Sequence, residues 1–332
     1  MRLSIVIPFL NEADNIPRLH ERLCAVARRL EGDEVEIVLV DDGSTDGSID
    51  AIRALPAAGP TLRVVRLSRN FGSHAAIAAG VSHATGDVLT FLSADLQDPP
   101  ELLLDMLARW REGHEIVWAT RVSRKDPLST RLFARAYYTL MRRYALPQMP
   151  IGGVDLCMVD RRVVQSLGNL QERNSNVFCL LMWAGYTQCV IPYHREERRS
   201  GRSKWSVAKK IKLFIDSFVA FSFLPMRLIS ALGGALSVAG LAYAAYIVTR
   251  ALFYGSAVHG WASLMVVLLL CSGVQLLMLG ILSEYLWRSL DASRNRPVYI
   301  VRESEVITGG AAAAAVDVDG AGEAGRATDA RA

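Results

Sequence analysis

The chain changes solvent two-thirds of the way along. Up to about Phe223 it alternates short β-branched runs with amphipathic stretches, as a water-soluble α/β domain does. From Leu228 to Thr249, and again from Ala262 to Leu282, it holds two uncharged apolar runs. At about 1.5 Å per helical residue, each is long enough to cross a hydrocarbon core of about 30 Å. The apolar content of 51% is ordinary for a globular protein, so the average conceals two kinds of segment.

Before the first apolar run, spacing and composition predict buried parallel strands at Leu3–Ile7, Val35–Val40, Leu62–Leu67 and Val88–Leu92, with another at Ile116–Ala119. Helices are expected over Asn15–Leu30, Ser48–Leu55, Ser73–His83 and Pro100–Arg111. Such alternation argues for a doubly wound α/β sheet, in which ligands sit beyond the carboxyl ends of the strands. Asp41, Asp42, Asn70 and Asp95 all fall at or just past expected strand ends.

Ser206–Phe223 repeats apolar residues at helical spacing (Val207, Ile211, Phe214, Phe218, Phe221) beside Lys209, Lys210 and Lys212. That pattern suits an amphipathic helix lying among lipid headgroups, and a basic helix packed on the domain is the plainer alternative. Basic residues flank the apolar pair on its outer sides, from Arg195 to Lys212 and from Arg288 to Arg302, while the connector Arg250–Trp261 is almost uncharged. The expectation is therefore a cytoplasmic (inner) membrane protein with both termini inside. The net charge of +4 gives no reason to expect nucleic acid. Five cysteines without a CxxC pair read as reduced thiols. The first apolar run stops at Pro8 and reads as a strand rather than a cleavable leader. The expected organisation is a catalytic domain over 1–205, an interfacial helix over 206–227 and two spans within 228–284. A cytoplasmic juxtamembrane segment over 285–307 and a disordered Ala/Gly-rich tail over 308–332 follow.

Three segments carry candidate chemistry. Asp41-Asp42-Gly43-Ser44 can accept hydrogen bonds from a ribose or a base, although a turn capping the next helix has the same composition. Ser93-Ala94-Asp95-Leu96-Gln97-Asp98 offers hard oxygen ligands suited to Mg²⁺ or Mn²⁺ on a diphosphate, with an acidic helix-capping loop as the alternative. Arg195 to Trp205 gathers arginine forks, hydroxyls and Lys204 where a lipid phosphate would lie, or else is a solvated charge run.

Together these segments resemble the family 2 glycosyltransferases that charge polyprenyl phosphate, the group containing dolichol-phosphate mannose synthase and its bacterial undecaprenyl-phosphate relatives. The likeness rests on Val6-Ile7-Pro8 with Asn11-Glu12, Asp41-Asp42-Gly43-Ser44, Arg69-Asn70-Phe71-Gly72, Ala94 to Glu101, and Arg195-x-x-Arg198-x-x-Gly201-x-Ser203-Lys204-Trp205, followed by two membrane helices. It implies a GT-A fold. It implies nucleotide-sugar binding by Pro8, Asn11, Glu12, Asp41, Asp42, Asn70 and Ala94, and Mg²⁺ or Mn²⁺ on Asp95 and Gln97. The acceptor phosphate would be held by Arg121, Arg195, Arg198, Ser203 and Lys204. Asp155 would lie near the reacting centre and, with Asp95, serve catalysis. The chain departs from the pattern at Ser93, where many relatives carry the first Asp of an Asp-x-Asp motif.

The reaction so implied moves one sugar, with inversion, from a nucleoside diphosphate to a polyprenyl phosphate. The small hydrophobic region and Ala/Gly/Arg-rich tail suggest a bacterial chain, and hence undecaprenyl phosphate. A homo-oligomer is compatible with two spans per chain. Two other readings stand beside it. A processive polysaccharide synthase would need a Q-x-x-R-W motif and a larger membrane region. An inactive membrane scaffold is made conceivable by Ser93 but disfavoured by the retained Asp95 and Gln97.

Overall fold

The computed structural model describes residues 1–30, 32–56, 59–122, 128–150, 153–168, 176–194, 221–222, 224–254, 260–308 and 311–313. The chain divides into two compact units, Met1–Val207 with Pro297–Ala332, and Ala208–Arg296.

The first unit is built on a mixed sheet. Its strands are β1 (Arg2–Phe9), β2 (Glu34–Asp41), β3 (Thr61–Leu67), β4 (Val88–Phe91), β5 (Ile116–Arg121), β6 (Leu156–Asp160), β7 (Gln188–Tyr193), β8 (Val301–Thr308) and β9 (Ala311–Ala313). Their spatial order is β7-β5-β6-β4-β1-β2-β3-β8-β9. Among the helices are α1 (Ile16–Arg29), α2 (Ser48–Arg53), α3 (Ser73–His83), α4 (Leu102–Arg111), α5 (Leu128–Tyr144), α6 (Arg161–Ser166) and α7 (Val177–Trp183). β1 forms a strand because Leu3, Ser4, Ile5, Val6 and Ile7 are buried on both faces of the sheet, which only a continuous run of small or branched residues permits. α1 buries one stripe, Ile16, Leu19, Leu23 and Val26, and ends on Arg28 and Arg29, cations suited to its carbonyl end.

Two differences from the sequence reading matter. The sheet is mixed, because two strands the sequence reading did not include run the other way, β6 against β4 and β5, and β8 against β3. The expected domain boundary at 205 also leaves out β8, which pairs along β3 from Leu62–Ile307 to Leu67–Val301. The end of the expected juxtamembrane segment is thus a strand of the first unit's sheet. The expected tail likewise begins with a strand, since β9 pairs with the end of β8.

The second unit contains α8 (Leu224–Tyr254) and α9 (Trp261–Ser293), both longer than the apolar runs read from sequence, so Arg250 to Tyr254 and Trp261 of the expected connector are helical. Met226–Ile247 and Leu270–Ser293 are long and apolar enough to cross a membrane, and neither is buried by protein. Leu241, Leu252, Phe253 and Leu264 stand 66–77% exposed. Helices this apolar with this much open surface suit lipid rather than water. A Cβ on Gly233 would come within 2.9 Å of Met278 Cε, so a small residue there lets the two helices close on one another. The interfacial helix expected over 206–223 lies almost wholly outside the described residues, and 224–227 open α8.

Candidate active site

Strands β1–β5 and β7 share one direction. Their carboxyl ends therefore meet the amino ends of β6 and β8 along a single edge. Across that edge stand Tyr193 of β7, Arg121 of β5, Asp155 before β6, the Ser93–Asp98 loop after β4 and Asn11 after β1. Asp41 and Asp42 at the end of β2, Arg66 to Asn70 around the end of β3, and Glu303 of β8 complete the line. Neighbouring strands lie about 4.8 Å apart, which puts the β2 and β4 ends about 10 Å from one another.

The loops after β1 and β2 are latched together. Asn11 sits in the left-handed region (φ 54°), its backbone amide donates to Ser44 Oγ at 2.9 Å, and its Oδ1 accepts from the Thr45 amide at 2.8 Å. The Glu12 amide donates to Ser48 Oγ at 3.0 Å, and Glu12 Oε2 accepts from Asn15 Nδ2 at 2.6 Å. Asp41, 1% exposed, accepts the Ser44 amide at 2.7 Å. Pro8 stands beside Val40 in the strand pairing. Burial pushes the Asp46 carboxyl up, but hydrogen bonds from Ser48 and Ala13 outweigh it and hold the pKa below the ordinary value.

Asp42 turns away from this cradle. Its carboxylate accepts the amides of Phe71 (2.7 Å) and Gly72 (3.0 Å), so it shapes the loop between β3 and α3. Burial is the largest influence on it and raises its pKa against those hydrogen bonds. Gly43 makes the approach of the two loops possible. It has φ 80°, and a Cβ there would stand 2.8 Å from Arg69 C and Asn70 N. Arg69 lies over the Phe71 ring at 4.0 Å and donates to the Asn70 carbonyl at 3.2 Å.

The loop after β4 alternates in burial. Ala94, Leu96 and Asp98 are buried, while Ser93, Asp95 and Gln97 are part-exposed on the other side. Leu96 has φ 57°, a strained conformation for a leucine, and packs in the main core. Ser93 Oγ donates to Asp95 Oδ1 at 2.9 Å, and the Gln97 amide donates to the same oxygen at 3.2 Å. The residue in place of an expected Asp thus orients Asp95.

At the far end of the edge the charged and polar groups are paired through their side chains. Arg121 grips both oxygens of Asp155 through Nε and Nη2. Burial works against the guanidinium's charge, and Asp155 more than restores it, so its pKa lies above the ordinary value. Next to this pair Tyr193 donates from its phenol to Asp98 Oδ1 at 2.6 Å, with both residues under 5% exposed. Burial and the Asp98 charge push the phenol pKa up. Phe178 of α7 joins the two parts of the edge, touching Phe91 of β4, Trp118 of β5 and His74 of α3. His74 Nδ1 is covered and has no hydrogen-bond partner among the described residues, although the residue as a whole keeps some exposed surface. Burial lowers its pKa to about 4.

The structure therefore brings Asn11, Glu12 and Asp41 into one cradle and joins Arg121 to Asp155. Arg195, Arg198, Ser203 and Lys204 lie outside the described residues. Sequence reasoning passed over Arg66, Tyr193 and Glu303 as site-edge residues, and named Asp98 within the acidic motif without its tyrosine partner. Arg66 carried a signal, since it and Arg63 are cations in a strand whose other residues are mostly apolar, and such cations call for acids beside them.

A mixed α/β sheet with acidic loops gathered at one edge, followed by a pair of apolar helices, defines a membrane-attached α/β protein. The family described as Glycosyl transferase family 2 matches residues 4–168, and the GtrB C-terminal hairpin matches residues 224–288. The uncharacterized glycosyltransferase YkcC of Bacillus subtilis is 37% identical over 305 residues, 92% of this chain and 94% of the relative. The uncharacterized glycosyltransferase sll0501 of Synechocystis is 38% identical over 304 residues, 91% and 95% of the two chains. The SfII prophage-derived bactoprenol glucosyl transferase of Shigella flexneri is 33% identical over 305 residues, 92% and 98%. The chain belongs to glycosyl transferase family 2, and it is a glycosyltransferase with the mixed α/β sheet of the GT-A kind.

Proposed function

We propose that this glycosyltransferase transfers one sugar from a nucleoside diphosphate sugar to the phosphate of a polyprenyl lipid, undecaprenyl phosphate in a bacterium. The observation that carries the reading is the order of groups along the sheet edge. A nucleoside cradle at β1 and β2, its β2 end about 10 Å from the β4 end, adjoins the Asp95 loop at β4, and the Arg121–Asp155 pair follows beyond it. A nucleoside, a diphosphate and a reacting sugar need that sequence of supports. The bactoprenol glucosyl transferase among the relatives, matched over nearly its whole length, supports the lipid acceptor and makes glucose the first sugar to try.

Pro8, Asn11, Glu12 and Asp41 would surround the nucleoside. Asp42 and Asn70 would serve it through the β3–α3 loop, and Ala94 would border the diphosphate. Asp95 and Gln97 fit a hard divalent cation because both offer oxygen donors on the open side of one loop. Among the described residues no three His, Cys, Asp or Glu side chains form a cage, so phosphate and water oxygens would complete the shell. Asp95 and Gln97 would hold Mg²⁺ or Mn²⁺, which would supply positive charge against the departing diphosphate.

The acceptor phosphate carries most of two negative charges near neutrality, its second pKa being about 6, and needs no strong base. Its oxygen forms the new bond to the anomeric carbon from the face opposite the leaving diphosphate, the old carbon–oxygen bond breaks, and the nucleoside diphosphate leaves. Arg121 has five N–H donors and uses two on Asp155, so it can meet an anion without releasing its partner. Arg195, Arg198, Ser203 and Lys204 would screen the same phosphate. The hairpin would place the sheet domain and both termini on the cytoplasmic side of the inner membrane.

The test is the purified full chain in detergent with undecaprenyl phosphate, Mg²⁺ or Mn²⁺, and a panel of nucleotide sugars beginning with glucose donors. The expected product is the lipid with the mass of one added sugar, lost with EDTA. Sugar found on any other acceptor, or as a polymer, overturns the reading.

A further inference from the structure

One cross-strand row links a carboxylate of the nucleoside cradle to the strand that follows the membrane hairpin. In that row Phe9 of β1 stands beside Asp41 of β2, Asp41 beside Arg66 of β3, and Arg66 beside Glu303 of β8. Residues paired in this way share a face of the sheet, so acid, base and acid follow one another along a line. Arg66 Nη1 donates to Glu303 Oε2 at 2.9 Å, and Arg66 Nε lies 3.6 Å from Asp41 Oδ2. That Nε is enclosed and has no hydrogen-bond partner among the described residues. Immediately after Arg66 the pairing slips by one residue, past Arg302, a local irregularity of the kind that re-aims side chains beside binding sites. Arg53 adds a second cation, 3.7 Å from Glu303 and 3.4 Å from Glu305.

An enclosed guanidinium N–H is costly without an acceptor. The acceptor facing Arg66 Nε is Asp41 Oδ2, just beyond hydrogen-bond reach, while Asp41 Oδ1 is occupied by the Ser44 amide. A shift of a few tenths of an ångström in Asp41 completes the contact. Glu303 meanwhile fixes the far end of the arginine so that it cannot swing to solvent. We infer that Arg66 and Glu303 are positioning residues for donor binding: Glu303 holds Arg66, and Arg66 sets the orientation of the Asp41 carboxylate that receives the nucleoside of the sugar donor. This rests on the reading of Asp41 as a nucleoside contact. It follows that the donor site is completed by chain on both sides of the membrane hairpin.

The test is nucleotide affinity of the full chain in detergent, by titration calorimetry with UDP, GDP, ADP and CDP in Mg²⁺, carrying the tightest of the four through the variants. Asp41→Asn and Arg66→Gln are each expected to weaken binding about tenfold, Arg66→Lys and Glu303→Gln about threefold. In the Asp41→Asn background, Arg66→Gln and Glu303→Gln are expected to add nothing, because both act through that carboxylate. A purely structural strand would lower the melting temperature and leave affinity alone, so loss of stability in Glu303→Gln with unchanged affinity overturns the inference. Full additivity with Asp41→Asn overturns it as well. If Arg66→Gln does not fold, Glu303→Gln, at a part-exposed residue, carries the same test alone. Asp41→Asn weakened with Arg66→Gln and Glu303→Gln at wild-type affinity removes this inference only. Wild-type affinity in Asp41→Asn, or no binding of any of the four nucleotides to the native chain, removes the nucleoside reading of Asp41 and the inference with it.

Discussion

The two halves of the sheet edge hold their polar groups by different means. On the side of β1 to β4, side chains grip loop backbone, Asp41 the Ser44 amide, Asp42 the Phe71 and Gly72 amides, Asn11 the Thr45 amide, Asp95 the Gln97 amide, beside side-chain pairs such as Ser93 with Asp95 and Arg66 with Glu303. On the side of β5 to β7, side chains grip side chains: Arg121 with Asp155, Tyr193 with Asp98. A loop tied through its own amides is rigid whatever ligand comes, which suits a nucleotide that must bind in one pose. An ion pair between side chains can share or exchange its donors when an anion arrives, which suits an acceptor phosphate. The difference teaches that the first half is a preformed cradle and the second a set of charges in balance.

The sharpest way to break this comparison lies at the junction of the halves. Asp95→Ala is expected to lower kcat by at least about a hundredfold while the fold survives, because the diphosphate loses its charge-neutralising support. Near-normal turnover in a mass-spectrometric lipid assay would move the catalytic centre off the β4 loop. Asp155→Asn should be next in size. It leaves a part-buried guanidinium with a weaker partner, so thermal unfolding in detergent should reveal a loss of about 2 kcal/mol, with kcat reduced as well. If only the KM for the nucleotide sugar changed, Asp155 would belong with the cradle.

His74, packed on the Phe178 that joins the halves, sharpens the comparison through pH. Its native pKa of about 4 lies below the ordinary value of 6.5, so the native state refuses a proton that the unfolded chain accepts. Its contribution to stability is complete above about pH 6.5 and is lost as pH falls toward 4. We expect His74→Phe to remove about 2 kcal/mol of acid sensitivity in that window, a figure reduced from the full shift because the residue keeps some exposed surface. An unchanged pH profile of the melting temperature would refute this. Tyr193→Phe should have the smallest effect, about 1 kcal/mol of stability from the buried Asp98 left with one hydrogen bond fewer. Its nucleotide affinity should match that of the unaltered chain, and a loss there would merge the two halves into one network.

Strands β1 to β4 and helices α1 to α4 were legible in the sequence to within a few residues, because each buries a local pattern on a fixed face. The β4 loop was legible too, since its acidic and polar residues follow an expected strand end. β6 and β7 were not read, being short runs whose strand state depends on pairing with distant partners, β6 with β4 and β5, and β7 with β5. β8 was the clearest miss. Val301 to Thr308 alternates charge with apolar residues, which beside two apolar runs suggested solvated juxtamembrane chain. Its partner, β3, is more than two hundred residues upstream.

By itself the sequence determined the change of solvent after Phe223, the strand–helix order of the first half and the residue types available at each strand end. These depend on periodicity and composition, properties of neighbours along the chain. The tertiary structure decided which charges meet: Arg121 with Asp155, Asp42 with the β3–α3 loop, Tyr193 with Asp98, and Glu303 with Arg66. Each of those contacts closes a long loop of chain, and its ends are chosen by strand order and register rather than by any local preference of the residues that touch.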